Sequence, residues 1–264
     1  MGGADMGISE RMGDVLGQAV ESKLLKEVMD HPIKVDHLAI IMDGNRRFAW
    51  RNKIATGIGH RIGKQKLETV LDWVLELGIP WLTVYALSTE NLNRPKEELD
   101  LLFKLYNEGL RDIADDERIH SNRVKVQVIG RRELLPKIVT DAIDYAEQKT
   151  ADYDGFVFTV CLAYGSREEM LNAIQSIAEE HAAGDLPLDK IDEKAVSERL
   201  YTGEMPDPDL VIRTSGEERI SNFLLWQMAY SELYFTDVYW PSFQKKDLLK
   251  AVRTFQERKR RYGE

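Results

Sequence analysis

Six short apolar runs, His37–Met42, Leu82–Leu87, Val124–Ile129, Phe156–Ala163, Leu210–Arg213 and Leu233–Val238, constrain the fold of this chain more than any other feature. Several are continuous rather than alternating, as expected of strands covered on both faces. Between them the apolar period becomes helical. Leu67, Val70, Leu71, Val74 and Leu75 form one stripe. Leu134, Leu135, Ile138, Val139, Ala142 and Ile143 form a second, and Met170, Leu171, Ile174, Ile177 and Ala178 a third. Strands alternating with amphipathic helices predict parallel βαβ units. The expected class is α/β: a single domain with a central, mostly parallel six-stranded sheet flanked by helices. Residues 1–35 are amphipathic and read as an N-terminal helical extension, with the main domain over 36–264.

The helix expected after Pro95 is apolar around most of its circumference, through Leu99, Leu101, Leu102, Phe103, Leu105, Tyr106 and Leu110. Such a helix either lies deep in a core or turns a second apolar face to a cavity. Composition narrows the function classes. No run approaches the roughly 18 apolar residues of a membrane span. The start, Met1-Gly-Gly-Ala-Asp-Met-Gly7, lacks the basic and apolar segments of a secretory signal. The single cysteine, Cys161, sits in an apolar run and reads as a small buried hydrophobe. These features predict a cytoplasmic protein. A net charge of −9 argues against a general nucleic-acid binder. An anionic substrate would have to be met by locally concentrated arginines or a recruited cation.

In parallel sheets, ligands bind beyond the carboxyl ends of the strands. The first run is followed by Asp43-Gly-Asn-Arg-Arg-Phe48, the second by Ser88-Thr-Glu-Asn-Leu-Asn-Arg-Pro95, and the fourth by Tyr164-Gly-Ser-Arg167. The fifth leads into Arg213-Thr-Ser-Gly-Glu-Glu-Arg-Ile-Ser221, with a Ser-Asn pair placed to cap a following helix. A strand, a polar turn and a helix make an anion site, because the first N–H groups of a helix lack internal partners. Two fixed guanidiniums at Arg213 and Arg219 suit a diphosphate. Glu232 lies just before the sixth run. Asp43 reads either as an ion-pair partner of the arginines or as a ligand of Mg²⁺ together with Glu232, since Mg²⁺ often takes one or two carboxylates and fills its shell with phosphate oxygens. No zinc spacing, serine triad or Walker loop is present. Asp43-Gly-Asn also lacks the second aspartate of the aspartyl-phosphate enzymes.

Three segments in order, His37 to Ala49, Tyr85 to Pro95 and Asp209 to Gln227, resemble the signature segments of the cis-prenyltransferases, the undecaprenyl and dehydrodolichyl diphosphate synthase family. The paired Arg46-Arg47 is similar to the archaeal and eukaryotic branch, and the DDxxD pairs of trans-prenyltransferases are absent. The resemblance implies Mg²⁺-dependent condensation of isopentenyl diphosphate onto an allylic diphosphate primer, by a catalytic domain spanning 36–264. It implies that Asp43 assists departure of the allylic diphosphate and helps hold Mg²⁺, with Glu232 completing the metal shell. Gly44, Asn45, Arg46 and Arg47 would cradle the primer diphosphate, with Phe48 and His60 lining the site. Arg213, Arg219, Ile220 and Ser221 would bind isopentenyl diphosphate. Ser88, Thr89, Glu90 and Asn91 match the segment linked to proton removal, Asn91 being the usual assignment, and Arg94 supports that loop.

The resemblance further implies a long polyprenyl diphosphate, precursor of a glycosyl carrier lipid, made in an apolar tunnel. Candidate floor residues are Leu102, Tyr106 and Val126. A homodimer, with Arg261-Tyr-Gly263 reaching the partner's site, and peripheral membrane contact for product release are expected. Two positions depart from the family pattern: Thr56, commonly arginine, and Leu92, commonly aromatic. They bear on primer and acceptor choice, and Arg46 or Arg51 is placed to replace the lost contact. The alternatives are a non-catalytic subunit of a heteromeric prenyltransferase, or prenyl transfer to a different acceptor.

Overall fold

The computed structural model describes residues 18–203 and 205–259. By contacts, these gather into two compact units, one spanning Asp36–Pro241 and the other formed by the described residues of Met1–Val35 and Ser242–Glu264. In the smaller unit a helix over residues 18–30 (α1) is tied to a C-terminal helix. The carboxamide of Gln256 on that helix donates to the carbonyls of Val28 and Ile33, at 3.1 and 2.8 Å.

The larger unit carries the sheet. Its strands are β1 (His37–Ile41), β2 (Trp81–Tyr85), β3 (Val124–Ile129), β4 (Phe156–Cys161), β5 (Leu210–Arg213) and β6 (Glu232–Phe235), all parallel, in the order β3-β4-β2-β1-β5-β6. Position in the sheet explains the sequence patterns. Central β1 and β5 are buried at every residue, hence their continuous apolar runs. Edge strand β3 alternates, with Val124, Val126 and Val128 inside and Lys125 in water.

The connecting helices are α2 (Asn45–Arg51), α3 (Thr56–Glu76), α4 (Lys96–Asp115), α5 (Glu117–Ser121), α6 (Lys137–Lys149), α7 (Ser166–Ala183) and α8 (Glu193–Ser197). The C-terminal helix of the smaller unit is α9 (Lys245–Lys259). α6 buries Val139, Ala142 and Ile143 as the stripe predicts, although Leu134 and Ile138 are exposed.

α7 is rotated from its predicted stripe. Leu171 and Ile174 face water, while Ser166, Glu169, Ala173 and Ile177 are buried. The reason is polar: Glu169 receives the Tyr164 hydroxyl, the Tyr201 N–H and the Gln227 carboxamide, and this buried network sets the inward face. Burial also pushes the Glu169 carboxyl above its ordinary range, against those hydrogen bonds. Cys161 is buried and free, as expected.

Candidate active site

β1 lies between β2 and β5, so the loops leaving the carboxyl ends of these three strands open onto one crevice. The register sets Ile41 beside Arg213, and two residues past Ile41 is Asp43. One oxygen of Asp43 accepts from Arg213 at 2.8 Å and the other pairs with Arg47 at 2.9 Å. Burial would raise this carboxyl, but the hydrogen bonds from Arg213 and Arg47 outweigh it and hold Asp43 below its usual range. Thr214 fixes the backbone here: its hydroxyl accepts from the Asp43 N–H at 2.9 Å and donates to the Asp43 carbonyl at 2.7 Å.

Gly44 has φ +107°, and a Cβ there would come within 2.9 Å of both Ser215 and Tyr239. Only glycine makes this turn. On α3, a Cβ at Gly63 would meet the Asn45 side-chain oxygen at 2.4 Å, so α2 seats Asn45 against a bare stretch of helix. That oxygen is buried without a hydrogen-bond partner. The expected strand, turn and helix therefore occur, but after β1.

After β5 they do not. No helix follows the arginine loop; residues 221–230 form successive turns, with left-handed backbone at Ser221, Asn222 and Leu224 (φ +50°, +61° and +43°). Such residues cannot propagate an α-helix. Side chains impose the bend. The Tyr85 hydroxyl donates to the carbonyls of Tyr164 and Ser221, at 3.0 and 3.3 Å, while its ring stacks on Phe223 at 4.7 Å. Asn222 reaches Glu90 at 3.2 Å and Glu168 at 3.1 Å. The loop is thereby pinned with Arg213, only 4% exposed, donating to Ser221 Oγ at 2.8 Å and to the Arg219 carbonyl. The Nε of Arg213 is buried without a partner.

Two carboxylates not assigned from the sequence complete the charge pattern. Glu217 bridges Arg47 at 2.6 Å and Arg219 at 2.5 Å. It stands inside the arginine segment, where its spacing between two cations was the available signal. Glu98, on the first turn of α4, approaches His60 Nε2 at 3.2 Å, Arg94 at 3.1 Å and Arg46 at 3.8 Å. Nothing local in the sequence announces that role. Burial lowers the His60 pKa, the Glu98 hydrogen bond opposing it in part. In the β2 loop, Ser88 Oγ accepts from the Asn91 N–H at 3.1 Å, and the Asn91 side-chain oxygen accepts from the Ser88 N–H at 3.4 Å.

These groups form one end of a cavity of about 870 Å³. Arg46, Arg47, Arg94, Arg213 and Arg219 line it there with Asp43, Gly44, Asn45, His60, Ser88, Asn91, Ser221 and Thr56. Trp50, 84% exposed and unmarked by the sequence, stands on the same rim. The remainder is walled mainly by apolar side chains of α3, α4 and the sheet, among them Leu67, Leu105, Leu110, Ile113 and Val160, together with the charged Lys64 and Glu68 of α3. α4 thus has the second apolar face its composition allowed. Leu102 and Tyr106 line the cavity, but Val126 does not; it is buried in β3 with its N–H bound to Thr150 Oγ.

Five other predicted residues lie outside the lining. Phe48 is half-buried on α2, and Ile220 packs against the cluster around Tyr85 and Phe223. Thr89 and Glu90 face Glu168 and Asn222, bracing the arginine loop from behind. Glu232 is the clearest correction. It opens β6 beside Leu210, whereas Arg213 pairs with Phe235 at the far end. Three residues of strand, about 10 Å, separate the level of Glu232 from that of Arg213. Within one chain Glu232 and Asp43 do not share a metal shell. Leu92 lies half-buried in the 3₁₀ turn Glu90–Asn93, Arg51 is exposed away from the cavity, and Arg261-Tyr-Gly263 lies outside the described residues.

The chain matches the Prenyltransf family model, that of undecaprenyl diphosphate synthase, over residues 41–263. It is similar to a protein of Pyrococcus horikoshii named tritrans,polycis-undecaprenyl-diphosphate synthase (geranylgeranyl-diphosphate specific), 53% identical over 86% of both chains. A protein of the same name from Methanopyrus kandleri is 51% identical over 91% of this chain and 90% of its own length. Among solved structures, lavandulyl diphosphate synthase from Lavandula x intermedia in complex with dimethylallyl diphosphate has a TM-score of 0.80 at 36% identity, covering 84% of this chain and 95% of that one. With an all-parallel sheet, an arginine-rich crevice at its carboxyl end and a joined apolar cavity, the chain belongs to the undecaprenyl diphosphate synthase family of cis-prenyltransferases, which are transferases of prenyl groups.

Proposed function

We propose that this protein elongates an allylic diphosphate in cis by repeated condensation with isopentenyl diphosphate, yielding a long, undecaprenyl-like diphosphate that is a precursor of glycosyl carrier lipid. The observation that carries the reading is one cavity, cationic at one end and mostly apolar for the rest, where Lys64 and Glu68 are the charged exceptions. A prenyl diphosphate has the same division. Geranylgeranyl diphosphate is the primer favoured by the names of the archaeal relatives, with farnesyl diphosphate as the second candidate.

In this reading Arg46 and Arg47 hold the primer diphosphate over the Gly44 turn, and Arg213, Arg219 and Ser221 hold isopentenyl diphosphate. The allylic C–O bond breaks, carbon becomes cationic, and the diphosphate gains negative charge that preorganised guanidiniums stabilise. The new C–C bond forms from the isopentenyl double bond, and a proton leaves. A neutral amide is a poor base, and the Asn91 oxygen is already engaged with the Ser88 N–H. Asn91 therefore orients, and a diphosphate oxygen accepts the proton.

Asp43, a carboxylate held ionised beside the diphosphate site, fits a Mg²⁺ ion that draws its other ligands from phosphate and water. The fit depends on the substrate, since the described residues contain no group of three metal-ligating side chains. When bound, the ion neutralises charge on the departing diphosphate. A homodimer and peripheral membrane contact belong to the same reading. The exposed Trp50 on the cavity rim supports the latter, an indole being suited to a lipid interface. No described helix is long and apolar enough to cross a membrane.

The test supplies labelled isopentenyl diphosphate, Mg²⁺ and each primer in turn, and sizes the products chromatographically. A ladder ending at a defined length, lost in Asp43→Ala and with chelator, is expected. Folded protein that incorporates no label with either primer would overturn the reading in favour of a partner-dependent subunit or another acceptor.

A further inference from the structure

α3 lines the cavity from Thr56 to Glu68, a lined length of about 18 Å at 1.5 Å per residue. An isoprene unit adds four carbon–carbon bonds of about 1.5 Å, hence roughly 4–5 Å when extended. About four extended units fill that length, which is already the size of a geranylgeranyl primer. Any further extension must coil the chain or carry it through a wall.

One wall of the deep half is held by charge. Lys64 on α3 lines the cavity, and its ammonium is pinned between Glu68 at 2.9 Å and Asp112 of α4 at 2.6 Å. Directly outside is a second recess of about 260 Å³, lined by Lys64, Gln65, Glu68, Asp112, Ile113 and Asp116. Lys64, Glu68 and Ile113 line both spaces, so the bridge stands where the two adjoin, with Asp112 on the side of the outer recess. The lysine stem crosses α4 where that helix has no side chain: a Cβ on Gly109 would stand 3.1 Å from Lys64 Cε. The Asp112 side chain is 62% exposed, and a bridge so open to water is of the weak kind that yields to competing contacts.

We propose that Lys64, pinned by Glu68 and Asp112, is a product-length determinant: a polar latch across the α3–α4 seam that the growing prenyl chain displaces to enter the outer recess. The inference rests on the elongation reading above. Once the cavity is full, an added unit has room only if the seam opens, and Ile113 is the one apolar residue lining the outer recess, so the strength of the latch sets where elongation slows.

Three variants test it through the product ladder from geranylgeranyl diphosphate. Asp112→Asn keeps the shape of the side chain and removes its charge. It should move the dominant product up by at least one five-carbon unit, leaving the rate of the first condensation within about twofold. Lys64→Ala removes latch and stem and should move it in the same direction. Gly109→Ala presses on the lysine stem, drives it towards the cavity and should move the product down. An unchanged ladder in Asp112→Asn and Lys64→Ala, with or without a lower melting temperature, overturns the latch. So does a shift of Gly109→Ala in the same direction as the other two. Failure of the elongation reading looks different: wild-type protein would then give no ladder to shift.

Discussion

The two halves of the cavity are built on opposite principles. At the cationic end these carboxylates are each held more than once: Asp43 by Arg213 and Arg47, Glu217 by Arg47 and Arg219, Glu98 by Arg94 and by the neighbouring His60 and Arg46. In the apolar half the polar groups are few, the Tyr106 hydroxyl, bound to the Ala86 carbonyl at 2.8 Å, and the paired Lys64 and Glu68, amid aliphatic side chains. A diphosphate is best met by donors already oriented, and the ion pairs of Arg47, Arg213 and Arg219 orient them, so such a site is costly to alter. A prenyl chain requires only volume and the exclusion of water, so its site tolerates change and translates it into length. On the proposed reading, one end governs whether a reaction occurs and the other how far it goes.

The comparison breaks most visibly at Arg213. Removing this buried guanidinium takes one of its two arginine partners from Asp43 and the guanidinium donor from Ser221. At roughly 1.5–3 kcal/mol for each charge-assisted hydrogen bond, two lost bonds correspond to about 10²–10⁴-fold in rate. Arg213→Ala should lower kcat/KM for isopentenyl diphosphate by that factor; a loss under about tenfold would show that the cationic end is not preorganised as argued.

At the apolar end, Leu102→Ala should preserve the first condensation and lengthen the product. It should also destabilise the fold by ~2–3 kcal/mol, the low end for a buried leucine, because Leu102 already faces open space. Thermal unfolding with product sizing checks both. A large loss of the first condensation would blur the division between the halves.

The smallest effect concerns His60, where the halves meet. Burial depresses its folded pKa below 6.5. Below about pH 6.5 the unfolded chain therefore binds a proton that the folded one refuses. Stability is full above that pH and is lost as pH falls towards the folded value, by at most about 1.4 kcal/mol per pH unit for one proton. Denaturant unfolding between about pH 8 and pH 5 should show His60→Asn losing less stability than wild type over that window. Parallel curves would mean that His60 takes up its proton as readily in the fold as in the unfolded chain.

Much of this was legible in the chain. The six strands lie where the apolar runs predict, and for central β1 and β5 burial on both faces leaves a local signature that needs no knowledge of neighbours. Asp43, Arg47 and Arg213 converge because parallel strands send all their carboxyl ends to one side. The α7 stripe misled because a buried carboxyl, Glu169, outweighed apolar side chains in choosing the inward face. The helix expected after β5 failed because its capping pair, Ser221 and Asn222, is used in left-handed turns tied to Tyr85 and Glu90, both distant in sequence.

By itself, then, the sequence determined the sheet, its direction and the arginine-lined end, since apolar period and strand-end chemistry are local properties carried by neighbouring residues. Only the tertiary structure decided that Glu98 faces His60, that Glu217 bridges two arginines, that Glu232 stands at the other end of the strands and that Lys64 spans the α3–α4 seam. Each of those is a statement about register or crossing between elements. Charged groups interact over a few ångströms in space, whatever their separation along the chain.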